Sequence, residues 1–138
     1  MVDEYKKILP DLENETSAPY WASVKEHQMR LQKCSECGHV RFPYNTVCTD
    51  CLSEKAEWAP MSGKGTVYSW VQFYQRYHPG WENELPYNVA YVVLDEGIGL
   101  ITNLVNVQPA DITIGMPVQV HYDDVTPEVT LPKFEPLR

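Results

Sequence analysis

Two short stretches decide how this chain is read: Cys34-Ser35-Glu36-Cys37-Gly38 and Cys48-Thr49-Asp50-Cys51, with ten residues between Cys37 and Cys48. Each Cys-x-x-Cys makes a tight turn whose two sulfurs point to the same side. Two such turns brought together offer four thiolates in a tetrahedron, an arrangement that suits zinc. Gly38, directly after the first pair, permits the positive φ such a turn often needs. Cys34, Cys37, Cys48 and Cys51 are therefore the expected metal ligands. Four protein ligands leave no open position for water, so the ion is expected to be structural and not a Lewis acid. Its binding supplies on the order of 10 kcal/mol or more of folding free energy, which a loop with almost no core of its own needs. Iron held by the same thiolates is the competing reading. A thioredoxin-type redox pair is not expected, because neither Cys-x-x-Cys opens a helix after a core strand.

Moving outward, the chain has 138 residues, 43% hydrophobic, and its four cysteines are all in this cluster. No apolar run approaches the ~18–20 residues of a membrane span. The start, Met1-Val2-Asp3-Glu4-Tyr5-Lys6-Lys7, is charged and leads to no apolar segment of signal-peptide type, so a cytoplasmic location is expected, where clustered cysteines are more often metal ligands than disulfides. Eleven Lys and Arg face nineteen Asp and Glu, a net charge of −8. Such a chain is a poor generic binder of nucleic acid or anionic membrane. Of the bases, only Lys133 and Arg138 lie beyond residue 81, so any cationic surface is expected from the earlier part of the chain.

Three parts are expected: a lead-in and amphipathic helix over 1–33, a rubredoxin-like zinc ribbon over 34–58, and a barrel domain over 59–138. The helix is read from Ser17 or Thr16 as cap, Pro19 in the first turn, and Tyr20, Trp21, Val24, His27, Gln28 and Leu31 at helical spacing. It either docks on its own domain or serves as a hydrophobic handle for a partner. Residues 58–65, with Pro60, Gly63 and Gly65, read as a short connection that fixes the two modules relative to each other. From Thr66 onward the signal is strand after strand: 66–77, 87–94, 99–104, 118–122 and 129–134, the last limited by Pro132. The turn Asp95-Glu96-Gly97 predicts a hairpin, and 109–115 a turn or short helical piece. Five short strands with no long helix predict a mainly β protein ending in a small five-stranded OB-fold barrel.

No Gly-rich phosphate loop or nucleophile elbow is present, and His27, His39, His78 and His121 lack a recognisable catalytic spacing. The paired acids Asp95-Glu96 and Asp123-Asp124 read as solvated turn chemistry. No catalytic residue is assigned. The strand at 66–77 alternates Val67, Val71 and Phe73 on one face with Tyr68, Trp70 and Tyr74 on the other. Its aromatics are either barrel wall or a platform for a flat ring, with Lys64 and Arg76 at the two ends placed for phosphates. A nucleotide-bearing cofactor and single-stranded nucleic acid both satisfy that pattern.

The chain resembles a family of small zinc-ribbon/OB-fold proteins, catalogued as a domain of unknown function and found beside acyl-CoA enzymes. The carriers of the resemblance run from Pro19 to Pro136. They include Tyr20-Trp21, Leu31-Gln32-Lys33-Cys34, Phe42-Pro43, Gly63-Lys64-Gly65-Thr66-Val67-Tyr68-Ser69, Pro86-Tyr87, Leu94-Asp95-Glu96-Gly97, Ile114-Gly115-Met116-Pro117-Val118 and Leu131-Pro132-Lys133-Phe134. Leu52-Ser53 stands where the family usually has a glycine, and Tyr44-Asn45 replaces a common proline-arginine stretch. The resemblance implies a non-catalytic subunit of an acyl-CoA-processing complex, working with a thiolase-like enzyme or, less often, with a CoA-thioester hydratase or aldolase. In that role the small subunit helps enclose CoA or acyl-CoA, and Lys64, Trp70, Tyr74 and Arg76 become the candidate CoA contacts. The competing expectation is a module that binds single-stranded nucleic acid, a role the −8 charge opposes.

Overall fold

The computed structural model describes residues 5–138; the charged start at 1–4 lies outside them. One helix, α1 (Ala18–Lys25), precedes eight strands in two sheets. Strands β1 (Arg30–Cys34), β2 (Val40–Arg41) and β3 (Ala56–Pro60) form the first, in the order β2-β1-β3. Strands β4 (Lys64–Phe73), β5 (Tyr87–Leu94), β6 (Gly99–Thr102), β7 (Pro117–Asp124) and β8 (Thr130–Pro136) form the second, ordered β6-β5-β4-β7-β8 with antiparallel neighbours. The second sheet curls into a half-barrel, and just beyond β6 the chain meets β8 at a Leu104–Phe134 bridge. The protein is mainly β: a helix, a ribbon and a five-stranded OB-fold, as the strand pattern predicts.

The helix is shorter than its apparent periodicity. Asn14 prepares its start by accepting the Thr16 and Ser17 N–H groups on Oδ1, at 2.9 and 3.3 Å. Ser17 occupies the N-cap position without a side-chain capping bond. At the other end His27 takes a left-handed φ of 60°, which stops the helix, so Leu31 belongs to β1 and Gln28 to the connection. The Ser23 hydroxyl seals the junction, donating to Tyr20 O at 2.7 Å and accepting from Arg30 N–H at 3.1 Å.

Tyr20 and Val24 are buried, so α1 packs on its own protein. They join Met29 and Leu31 in one hydrophobic core with Val67, Val92, Leu94, Val118 and Phe134 of the half-barrel. The fixed relation of ribbon and barrel thus comes from a shared core as well as from a short link. Part of that link is itself strand: Trp58 to Pro60 pair with β1. Only 61–63 joins the sheets, and there a Cβ on Gly63 would lie 2.7 Å from the Val120 side chain. Two side chains cross the junction. Tyr122 Oη accepts the Met29 N–H at 2.8 Å, and His27 stacks on the Tyr122 ring with centroids 5.0 Å apart while pairing with Asp124 at 2.9 Å.

Only β5 keeps its expected ends; β4 runs over 64–73 and not 66–77, the other three strands shift at one or both ends, and two strands also differ for local reasons. Pro132 sits inside β8 instead of ending it, because β8 terminates the sheet order and an edge strand tolerates a missing N–H. In β4 the register to β5 slips between Val67 and Ser69, leaving Tyr68 as the extra residue of a bulge. The slip reverses the faces beyond it. Val67 and Trp70 turn toward the core, and Tyr68 and Val71 turn outward, the latter 52% exposed.

Candidate metal centre

The first cysteine turn follows from β1 running out at Cys34. Gly38 N–H donates back to Cys34 O at 3.0 Å and Gly38 takes φ +78°, as its position predicts. The second turn repeats this pattern: Leu52 N–H donates to Cys48 O at 3.0 Å, with Leu52 at φ 65°. Cys34 N–H donates to His39 O and Cys48 N–H to Ser53 O, each at 2.9 Å, closing each loop on its own backbone. The turns face one another and bring all four sulfurs within 4.8 Å, with Cys34–Cys51 at 3.5 Å and Cys37–Cys48 at 3.6 Å. A tetrahedron built on Zn–S bonds of about 2.3 Å has edges of roughly 3.8 Å, close to the two short sulfur–sulfur distances here.

Backbone N–H groups already favour thiolate here. The Cys37 N–H, at 3.5 Å, is the main influence bringing Cys34 down to about 6. Cys48 is also lowered, chiefly by the Cys51 N–H. In Cys51 the Ser53 N–H works in the same direction, but the Cys34 sulfur and burial outweigh it and push the thiol up to about 12. In Cys37 the His39 N–H again pulls downward, but burial with the Cys48 and Cys34 sulfurs outweighs it and raises the thiol. Four adjacent sulfurs cannot all carry charge unless a cation joins them. This donor set fits a dication that takes in all four. His39 lies outside the set, with its Nδ1 3.2 Å from Asp50.

The other candidate residues do not form one platform. Lys64 opens the ten-residue β4, roughly 30 Å long at about 3.3 Å per residue, and Arg76 lies three residues beyond its other end. Trp70, half-buried, packs against the core, whereas Tyr74, beyond the strand end, is 74% exposed. Arg76 faces Glu82 at 3.4 Å. His121 lies 3.7 Å from Glu135. His78 caps the 3-10 turn Pro79–Glu84 by accepting the Gly80 N–H on Nδ1 at 3.0 Å. None of these histidines joins the cysteines. Among the described residues the cysteine cluster is the one group able to hold a metal ion.

Sequence reasoning missed a buried polar knot beside the ribbon. Arg41, 4% exposed, donates through Nε to Gln32 Oε1 at 3.2 Å and through a terminal nitrogen to Asn45 O at 3.0 Å. Gln32 Oε1 also accepts the Asn45 N–H, at 2.7 Å, tying β1 to the loop between the cysteine pairs. An arginine and a glutamine nine residues apart carry no local signal of such a bond.

A four-cysteine ribbon sharing its core with an OB-fold half-barrel defines the class: a zinc-ribbon/OB-fold protein. The family model for the ChsH2 rubredoxin-like zinc ribbon domain matches residues 21–57, and that for the ChsH2 C-terminal OB-fold domain matches 58–123. The chain belongs to this ChsH2-type family, which includes proteins called DUF35. A DUF35 domain-containing scaffold protein of Pyrococcus furiosus is 34% identical over 101 residues, 73% of this chain and 74% of the relative. A probable enoyl-CoA hydratase alpha subunit of Thermomonospora curvata is 37% identical over 123 residues, 89% of this chain. The chain spans only 38% of that relative's length. A benzoylsuccinyl-CoA thiolase subunit, BbsA, of Geobacter metallireducens is 36% identical over 73 residues, 52% of this chain and 47% of the relative. Among solved structures, a chain of the Ltp2-ChsH2(DUF35) aldolase superposes with a TM-score of 0.83 at 36% identity, covering 92% of this chain and 98% of that one. Relatives are thus named as subunits of a CoA hydratase and a CoA thiolase, as part of an aldolase, or as scaffold proteins.

Proposed function

We propose that this chain is a non-catalytic, zinc-containing subunit of an acyl-CoA-processing complex, and that its enzyme partner belongs to the thiolase family. One observation carries the reading. All four cysteines are drawn into a single cluster, leaving the chain no thiol to bear an acyl group, on a fold whose relatives are named as subunits of CoA enzymes. The partner's nucleophile would carry the acyl group. This chain would hold part of the CoA tail and exclude water from the thioester, which assists through positioning and not through proton transfer. The proposed CoA contacts fall into separate groups, Tyr74 with Arg76 beyond one end of β4, Lys64 at the other end, and Trp70 between them. The cysteines would hold the zinc as a structural ion. Keeping them as thiolates is compatible with a cytoplasmic setting.

The hydratase alpha subunit of Thermomonospora curvata, matched along 89% of this chain, favours a second reading in which the partner is a hydratase. Co-expression with a thiolase-family chain from the same organism tests the first. Co-purification with one zinc per small chain, and thiolysis of a β-ketoacyl-CoA only when both chains are present, is the expected result. Full thiolysis by the large chain alone defeats the proposal. Hydration of an enoyl-CoA without thiolysis selects the hydratase reading, and salt-sensitive oligonucleotide binding without either activity selects nucleic acid.

A further inference from the structure

The described part of the lead-in lies in the gap between two barrel loops. Tyr5, Lys6 and Lys7 line a cavity of about 460 Å³ with Gly80 and Glu84 of the 3-10 turn and Val125 of the connection from β7 to β8. Loops in these two positions flank the ligand cleft of an OB-fold. The seat is built for the segment: a Cβ on Gly80 would stand 2.9 Å from the Lys6 carbonyl. The hold on it is slight. Among the described residues, none of 5–10 makes a hydrogen bond from backbone to backbone, and Ile8 is 82% exposed. The segment is fastened by Lys7, whose side chain is 11% exposed. Its Nζ lies 2.6 Å from Glu84 and 3.7 Å from the centre of the Trp81 ring.

Behind that ammonium the aromatics continue in a stack. Trp81 lies on Tyr87 with centroids 4.2 Å apart, and Tyr87 on Phe73 at 5.3 Å. Two groups this close to one ring centre cannot share a face, so Lys7 covers the side of Trp81 that a further ring would take. We propose that residues 5–7 are a latch over a ring-binding face of Trp81, displaced when the planar base of a nucleotide-bearing ligand stacks there. That the ligand is the adenine end of CoA rests on the proposed function. A base on Trp81 extends the stack, and its exocyclic amine donates to the Glu84 carboxylate that Lys7 leaves. Arg76 pairs with Glu82 of the same turn, and Lys133, beside Trp81 and Tyr87, pairs with Asp123. Both bases can exchange those carboxylates for phosphate. While the latch is closed, apparent affinity falls with the fraction of chains that are open.

The test titrates the full chain with CoA and with phosphopantetheine, which lacks the ring. Gly80→Ala moves the lead-in without removing a charge, and should tighten CoA binding by about fivefold. Lys7→Ala should act in the same direction although it removes a cation. Trp81→Leu should weaken CoA binding by about tenfold or more, and Trp81→Phe should restore part of it, each with one zinc per chain and a parental circular dichroism spectrum. CoA should also speed tryptic cleavage after Lys6 in the parent, a change that a merely structural segment would not show. Equal or weaker binding in Gly80→Ala overturns the latch. Parental affinity in Trp81→Leu, phosphopantetheine binding as tight as that of CoA, or a preference for single-stranded oligonucleotide overturns the ring site. If neither the parent nor Gly80→Ala binds CoA, the inference fails, and thiolysis by the two-chain complex then keeps the proposed function. CoA binding as expected, without thiolysis in that complex, removes the proposed function and leaves the inference.

Discussion

Gly38 and Leu52 occupy equivalent places behind the two cysteine turns, both at positive φ and both donating to the first cysteine's carbonyl. Glycine adopts that conformation without penalty, whereas a residue with a Cβ pays roughly 1–2 kcal/mol. The Leu52 side chain is 75% exposed, so little packing offsets the strain. Leu52→Gly is therefore expected to stabilise the zinc-loaded protein by about 1 kcal/mol, less what glycine's extra freedom costs in the unfolded chain. Denaturant titration at fixed zinc checks this, and a destabilised variant would mean that the second turn is not strained. The four ligands and Gly38 were legible because a metal site prints its geometry into local spacing. The Arg41–Gln32 bond was not, since side-chain pairing across strands depends on a register that no local pattern encodes.

At the scale of elements, the junction between α1 and the end of β7 has a charge signature. Asp124 accepts hydrogen bonds from the Thr130 hydroxyl and the His27 ring, and these hold its carboxyl below the usual carboxylate range. A carboxyl lowered in the folded state contributes stability above its unfolded value near 3.9, and that contribution is lost as pH falls through the folded value. Asp124→Asn should therefore flatten the acid limb of the stability curve below about pH 4, leaving its shape between pH 5 and 6 set by other groups. Thermal melts across that range measure it, and an unchanged acid limb would remove Asp124 from the account. The barrel strands were readable in outline, 87–94 even to its ends. The faces of β4 were not, because alternation is a period-2 signal and one bulged residue, Tyr68, shifts its phase. The ribbon strands β1 and β3 escaped notice for a different reason. Their residues include no β-branched side chain, and they are held by mutual pairing and by burial of Leu31 against the barrel.

Across the whole molecule, one continuous core joins ribbon and barrel and should couple their unfolding. A strong chelator should unfold the ribbon and also lower the melting temperature of the barrel in the same transition, followed by near-ultraviolet circular dichroism and by exchange of β5 amides. A barrel that melts as before, with the ribbon alone lost, would show that the shared packing contributes little. Partner and substrate lay beyond the residues themselves: the absence of a catalytic constellation pointed away from an autonomous enzyme, and only the resemblance supplied CoA. The shared core has one more consequence, for supply. Stabilisation by a bound ion grows by about 1.4 kcal/mol for each tenfold rise in its free concentration above the dissociation constant. Because Met29 and Leu31 pack the ribbon sheet into the barrel core, the barrel inherits that energy. The amount of folded protein then follows the zinc available when the chain folds, as a ration shared among every zinc protein made at the same time.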